Sequence, residues 1–569
     1  MRQPTEVAYG PLARPPLGVV LLSGVQHVAL MGIYLVYPVL IAQAAGASAE
    51  VAAAMVSLTL IALAVGTVLQ VLPFGPLGSG YMCPPVPTVV YLVPALSAAS
   101  KGGLAVVFGM TAIAGLAEAL LARLLPRLRQ FLPPEIAGLV SLLVGIATGV
   151  LGLRAILGAD AGGAGPSGAA VGVALATLGV MIALNVWGRG APRLFCVLIG
   201  LGVGAALAYA SGVVASDAVS RIVDGPAFAV PGLGHLEVAF DAAYLGFRWT
   251  AEDLARPIKV VGNVTSLQRA TDADWVRTDM TSVGRGVLSD GLTTAMAAGI
   301  GAAGLNSSTP AVGLATATGV HARVIAWAIA GLLLALAFFP KLGLLLHALP
   351  GPVLGAALVF SSTFTVVNGL EILGSRMLDA RRTLVIGLAI VIGLAVDLFP
   401  NVVAALPRTL QPMLGTPLML GAILALALNL LFRIGVKRTE TITAAPNAVD
   451  PAAIHGAISS WGAHWGARRD VIERAAFSVA QAVETIAGSG VAGNPVELAA
   501  SFDEFRLDVR ITYVGEPLEL PEERPSVEEI VGSDDGERRL AGYLLRRCAD
   551  RVSSSRRGGR ALVTLHFEH

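Results

Sequence analysis

The sequence predicts an all-α polytopic membrane protein of about fourteen crossing segments, followed by a small soluble α/β domain. Three observations predict it. Charged residues make up only 14% of the 569 residues, against about 25% in soluble domains, while 55% are hydrophobic and mean hydropathy is +0.74. Apolar stretches long enough to cross a bilayer follow one another from Leu17 to Phe432. After Arg438 the chain turns abruptly to a mixed, charged composition.

Met1 to Pro16 is a polar, proline-punctuated tail, and Leu17 to Ala44 is too long for the apolar part of a cleavable signal, so the first segment stays as a helix. The predicted segments then lie near 17–43, 50–73, 81–98, 103–123, 134–153, 168–187 and 194–214. After a polar stretch come 242–266, 287–304, 309–322, 323–347, 351–372, 382–399 and 414–432, making two sets of seven. The eighth is the least apolar, crowded by Arg248, Glu252, Asp253, Arg256 and Lys259.

Loop charges test this count. Loops on one side hold Arg123, Arg127, Arg129, Arg189, Arg193, Arg269, Arg277, Arg285, Arg323, Arg376, Arg381 and Arg382; the opposite loops hold Lys101, Arg154, Arg221, Lys341 and Arg408. The positive-inside rule therefore puts both termini in the cytoplasm, for a chain in the bacterial inner membrane, and favours an even number of crossings.

Composition also excludes. A net charge of +1 implies no nucleic-acid partner. With 6% aromatics there is no support for an aromatic-lined cofactor pocket, and no cofactor or metal is expected. Cys83, Cys196 and Cys548 lie far apart, without metal-ligand spacing or a disulfide framework.

The third segment of each set is broken. Gly78-Ser-Gly-Tyr-Met-Cys-Pro-Pro-Val-Pro-Thr88 carries three prolines, and Asn306-Ser-Ser-Thr-Pro-Ala-Val-Gly-Leu-Ala-Thr-Ala-Thr-Gly319 is short and hydroxyl-rich. Interrupted segments at matching positions of two halves point to a transporter's binding site, because unwound backbone at membrane depth must face protein, water or ligand. Two proline kinks without a ligand are the alternative.

These residues resemble the nucleobase–ascorbate transporter family, also called nucleobase:cation symporter-2, which includes xanthine, uracil and urate permeases. Gln26-His27, Leu77-Gly-Ser-Gly-Tyr81, Phe131-Leu-Pro-Pro-Glu-Ile-Ala-Gly138, Asp290-Gly-Leu292, Val312 to Val320 and Pro350-Gly-Pro-Val-Leu-Gly355 are similar to its motifs, in order, over Leu17 to about Arg438. The resemblance implies a seven-plus-seven inverted repeat with core and gate domains, a nucleobase as small-molecule partner, a lipid environment, a homodimer, cation or proton coupling, and no enzymatic activity.

The chain departs from the family where ligand is held. Counting back from Gly262 puts Lys259 where the family's proton-coupled members carry a base-binding glutamate, with Asn263 one turn on; Pro310 and Ala311 replace the acid or amide and the asparagine of the tenth segment. A cation beside two half-helix N-termini favours an anionic or electron-rich ligand, and so xanthine or urate over uracil. Lys259 could instead snorkel to water or pair with an acid. Glu118 is either its partner or the proton carrier, unless it faces the membrane edge near Arg123. Tyr81, Ser308, Thr309, Asn263, Ser266 and Gly313 add groups suited to a purine edge, and His27, beside Gln26, braces the third-segment break or is structural.

The C-terminal region divides into a linker, 439–451, and a domain, 452–569. Helices are predicted at Asp470 to Gly488 and Gly536 to Val552, with strands at Phe505 to Tyr513 and Arg560 to Phe567. Gly542 to Asp550 resembles the late glycine box of histidine-kinase/anti-sigma ATPases. Gly488 stands where that family's magnesium-binding asparagine would follow Glu484, and Val514-Gly515-Glu516 replaces its adenine-reading Asp-x-Gly. The expectation is an inactive ATPase-like module. A membrane-tethered ligand sensor and a transporter of another small organic anion remain open as alternatives.

Overall fold

The computed structural model describes residues 3–5, 7–128, 134–158, 167–213, 222–240, 252–273, 275, 278–374, 380–399, 401, 405, 417–432, 438–444, 451–465, 467, 469–488, 496–502, 506–526, 536–557 and 559–568. Phe131 to Pro133 of the fifth-segment motif and Arg248 lie outside them. The chain forms two compact units: Met1–Leu373 with Ile386–Leu426, and Gly374–Val385 with Ala427–His569.

The first unit is helical. Its elements are α1 (Leu17–Gly32), α2 (Val36–Ala44), α3 (Ala49–Val71), β1 (Pro85–Pro87), α4 (Val89–Leu128), α5 (Pro134–Leu157), α6 (Gly168–Val186), the single turn α7 (Ala191–Leu194) and α8 (Cys196–Ala210). After the polar stretch come α9 (Glu252–Thr271), α10 (Met280–Gly299), β2 (Leu305–Ser307), α11 (Thr309–Thr318), α12 (Ile325–Ala337), α13 (Pro340–His347) and α14 (Gly351–Gly374), then α15 (Ala380–Leu398) and α16 (Pro417–Phe432), each with residues in both units. Among the described residues, six helices are long and apolar enough to cross a bilayer, or seven when α12 and α13, bent by 73°, count as one span. Within α4, two helices, one from the third and one from the fourth predicted segment, are parted by a kink where Gly103 takes φ 69°; only glycine adopts that conformation without strain.

Small residues set the packing. On α5, a methyl group added to Gly145 would lie 2.8 Å from Val366 N, and one on Gly152 would lie 2.7 Å from Gly355 O of α14. Close helix approach through such seams is what drives association in lipid, where burial of apolar surface gives no gain. The same device joins α4 to α10: a methyl on Gly291 would meet Ala119 N at 2.5 Å and Gly115 O at 2.6 Å.

The second unit contains a five-stranded antiparallel sheet in the order β3-β4-β5-β7-β6, formed by β3 (Arg438–Ala444), β4 (Val496–Phe502), β5 (Arg506–Tyr513), β6 (Arg551–Arg557) and β7 (Arg560–Glu568). Helices α17 (Pro451–Trp465), α18 (Arg469–Gly488) and α19 (Gly536–Cys548) accompany it. One side of the sheet is apolar: Leu507, Val509, Ile511, Ala561, Val563, Leu565 and Phe567 share a core with Val479, Val483 and Ile486 of α18. Period-two alternation along β5 and β7 explains why these strands were legible. Within the stretch read as a linker, 439–451, residues 439–444 belong to β3, which pairs with β4, and 445–450 lie outside the described residues. The helix read to Val552 ends at Cys548, where β6 follows.

Candidate functional site

The two interrupted segments meet. β1 and β2 pair antiparallel, with Pro85 opposite Ser307, Val86 opposite Asn306 and Pro87 opposite Leu305. All six residues are buried. The proline-rich stretch cannot continue a helix, and pairing with β2 satisfies backbone groups that would otherwise stay bare at membrane depth. A helix starts immediately after each strand. Ser308 caps α11 by accepting a hydrogen bond from Ala311 N at 3.2 Å, and its own N–H donates to Pro84 O at 3.0 Å. Tyr91 N and Leu92 N both donate to Thr88 O at the start of α4. Two half-helices thus begin side by side, each presenting the positive end of its dipole.

Helix α9 holds both breaks from one face. Arg256 Nη1 donates to Tyr91 Oη at 2.8 Å, in the first turn of α4, and Asn263 Nδ2 donates to Ser307 Oγ at 2.9 Å, in β2. Lys259 lies between them at i+3 and i−4, so it shares that face. It is half-buried, and its ammonium makes no hydrogen bond or ion pair with any described residue. The acids acting on it electrostatically are Asp290 and Glu118.

Asp290 comes from α10 and is buried. Its Oδ2 accepts from Asn306 Nδ2 at 2.7 Å, while Oδ1 has no hydrogen-bond partner among the described residues. One turn on, Thr294 Oγ1 donates to Leu305 O at 2.6 Å, so α10 also fixes β2. Glu118 is fully buried in α4 and is carried toward α10 by the Gly115–Gly291 seam. The site therefore gathers two cations and two acids around two helix starts, with one ammonium uncommitted among the described residues. An anion entering beside Lys259 would gain a charge-assisted hydrogen bond and both dipoles.

Of the sequence candidates, Lys259, Asn263 and Ser308 belong to this cluster, with Ala311 buried and Thr309 half-buried at the start of α11. Pro310, Gly313 and Ser266 are exposed. The charges that act on Tyr81 are Asp279, Arg323, Asp272 and Arg285. His27 is buried with Nδ1 2.8 Å from Ser23 O of its own helix and Nε2 without a partner among the described residues; Gln26 is half-buried. Sequence reasoning missed Asp290 and Arg256 as site residues. The signal was present for both, since an ionisable residue within an apolar segment marks a functional position, the rule that singled out Lys259 and Glu118.

Comparison with known proteins agrees with this architecture. A family profile described as Permease family (Xan_ur_permease) matches residues 18–402. The xanthine permease XanP of Escherichia coli (strain K12) is 28% identical over 462 residues, covering 76% of this chain and 95% of XanP. The nucleobase transporter PlUacP of Paenibacillus larvae is 24% identical over 440 residues, covering 76% of this chain and 99% of PlUacP. Among solved structures, the murine anion transporter Slc26a9 in its inward-facing state aligns with a TM-score of 0.51 at 12% identity, covering 76% of this chain and 71% of that one, a likeness of fold. These relatives are transporters, not enzymes, and the family match spans α1 to α15, the paired breaks and the Lys259 cluster: the chain is an integral membrane protein that belongs to this permease family.

Proposed function

We propose that the chain is a secondary-active nucleobase permease whose substrate is an oxidised purine, xanthine or urate, bound between the N-termini of α4 and α11 against Lys259. The observation that carries this reading is the uncommitted Lys259 ammonium, held between the two broken segments by the flanking Arg256–Tyr91 and Asn263–Ser307 hydrogen bonds. Taking a cation out of water is costly, so a position that keeps one without a direct partner among the described residues is suited to a ligand that supplies the counter-charge. The xanthine and nucleobase relatives supply the ring chemistry. Urate and xanthine are the acidic purines, and Lys259 favours them over uracil.

The same reading includes about fourteen crossing segments in a seven-plus-seven inverted repeat. The antiparallel β1–β2 pair supports it, because the matching segments of the two halves meet there. Core and gate domains would move against each other, with cation coupling, both termini on the cytoplasmic side of the inner membrane, and a homodimeric assembly. The C-terminal sheet domain would regulate or assemble the permease without hydrolysing ATP.

Proteoliposomes holding the purified protein should accumulate labelled xanthine or urate when preloaded with the unlabelled base. Binding without flux would reject the permease reading in favour of a membrane-tethered sensor.

A further inference from the structure

Tyr81, an expected ligand group, stands with a second set of charges that the central site does not use. Arg323 Nε donates to Gly80 O at 2.6 Å, and a methyl on Gly80 would lie 2.8 Å from Arg323 Nη2, so this guanidinium packs against the Gly80 backbone at the third-segment break. Gly80 takes φ 80°, which keeps that approach open. Arg285, on α10, is close enough to act on both Arg323 and Tyr81. Its Nε is buried and has no hydrogen-bond partner among the described residues.

The face of α10 that carries Arg285 is pinned to the same loop. Ser282 Oγ donates to Ser79 O at 2.6 Å, and Ser289 Oγ accepts from Gly78 N at 2.7 Å. Among the described residues, no acid forms an ion pair with Arg285 or Arg323. Asp279 spends Oδ1 on capping α10, accepting from Thr281 N and Ser282 N, and it and Asp272 act on Tyr81 from the α9–α10 connection. Two guanidiniums kept together with unused donors repel each other, and an anion between them relieves that repulsion. Arg285 precedes Asp290 by five residues, about 7.5 Å along the helix axis, so the pair lies one and a half turns from the central cluster, toward the 269–285 connection.

We propose that Arg285, Arg323 and the Tyr81 hydroxyl form a second, outer anion site through which the ligand passes between the Lys259 cluster and the membrane face bearing the 269–285 connection. The inference rests on the anionic-purine reading of the central site. The outer site takes the same planar oxyanion, held by guanidinium donors and released inward to the ammonium and the two helix dipoles. It raises the local concentration of the anion and so acts on rate more than on affinity.

The test uses the full chain and labelled urate. Equilibrium binding to purified protein and initial uptake into proteoliposomes are measured for wild type, R285Q, R285K and K259M at low and high ionic strength. For R285Q, the expected result is an equilibrium Kd within about twofold of wild type, with uptake at low urate slowed roughly three- to tenfold at low salt and converging with wild type at high salt, as steering is screened. R285K should recover most of the rate. Unchanged uptake by R285Q at low salt, a loss that persists at high salt, or a Kd weakened in step with the rate would overturn the outer site. K259M separates the two readings. If it leaves the Kd unchanged, the central site fails whatever Arg285 does.

Discussion

Replacing Lys259 with methionine removes the uncommitted ammonium while keeping an unbranched apolar stem of similar reach. The stem's packing along α9 is therefore largely retained. What is lost is one charge-assisted hydrogen bond to the ligand, worth about 1.5–3 kcal/mol. That corresponds to a Kd weaker by roughly 10- to 150-fold for urate. Uncharged hypoxanthine should lose much less, because only the charge contribution separates the two ligands. Lys259→Arg should bind urate partially, since charge persists while donor geometry changes. The substitution also strips Asp290 and Glu118 of the cation acting on them, so detergent-solubilised K259M should melt lower than wild type in the absence of ligand. Scintillation-proximity binding on a monodisperse preparation reads the affinities directly. An unchanged urate Kd in folded K259M, or equal losses for urate and hypoxanthine, would refute the assignment.

Other consequences follow from particular contacts. Asn263→Ala removes the hydrogen bond to Ser307 Oγ that holds β2 against α9, and should lower the melting temperature and weaken ligand binding together; a change in only one would show that the bond does not position the site. Gly152→Val drives a branched side chain into the Gly355 carbonyl and should destabilise the α5–α14 seam by about 1–3 kcal/mol, read as a lower melting temperature in detergent, where an unaltered melt would disprove the close approach. In the sheet domain, the hydrogen bond from His566 holds the Asp508 carboxyl below its usual 3.8, against the opposing effect of burial. Its folded value lies under its unfolded one, so the stabilisation is complete above pH 3.8 and is lost as pH falls through the folded value. Amide exchange in β5 and β7 should rise in that acid range and lose this dependence in His566→Ala; an identical acid profile in the variant would show that the pair contributes nothing. Truncation after Phe432 should leave the urate Kd within about twofold, and ATP hydrolysis by the intact protein would contradict the reading of Gly488 and Val514 to Glu516.

Much of this was legible because membrane helices must satisfy their own backbone. Long apolar runs betray α1 to α6 and α14, and prolines at Pro84, Pro85 and Pro87 announce a place where the helix cannot continue. The pairing of β1 with β2 was not legible. Three-residue strands carry no periodicity, and their partnership is a tertiary event across more than two hundred residues of sequence. Lys259 was visible as a costly charge, whereas Asp290 was passed over as part of a motif, although Gly291 beside it marks the close helix approach that brings Glu118 near. Tyr81 stands among Asp279, Arg323, Asp272 and Arg285, a grouping the sequence did not show, because proximity to the break does not fix which side of it a side chain faces. In the second unit, the alternation of β5 and β7 was readable. β3 was hidden as a polar stretch, Arg438 to Ala444, at the sheet edge, where hydrophobic patterning is weakest.

The binding of an anionic purine at the paired breaks is tested most directly by a density map of the protein saturated with urate. Planar ligand density should lie between the first turns of α4 and α11, with an exocyclic oxygen or a ring nitrogen about 3 Å from Lys259 Nζ. Density at another place, or a Lys259 ammonium that closes onto Asp290 while ligand is bound, would contradict it.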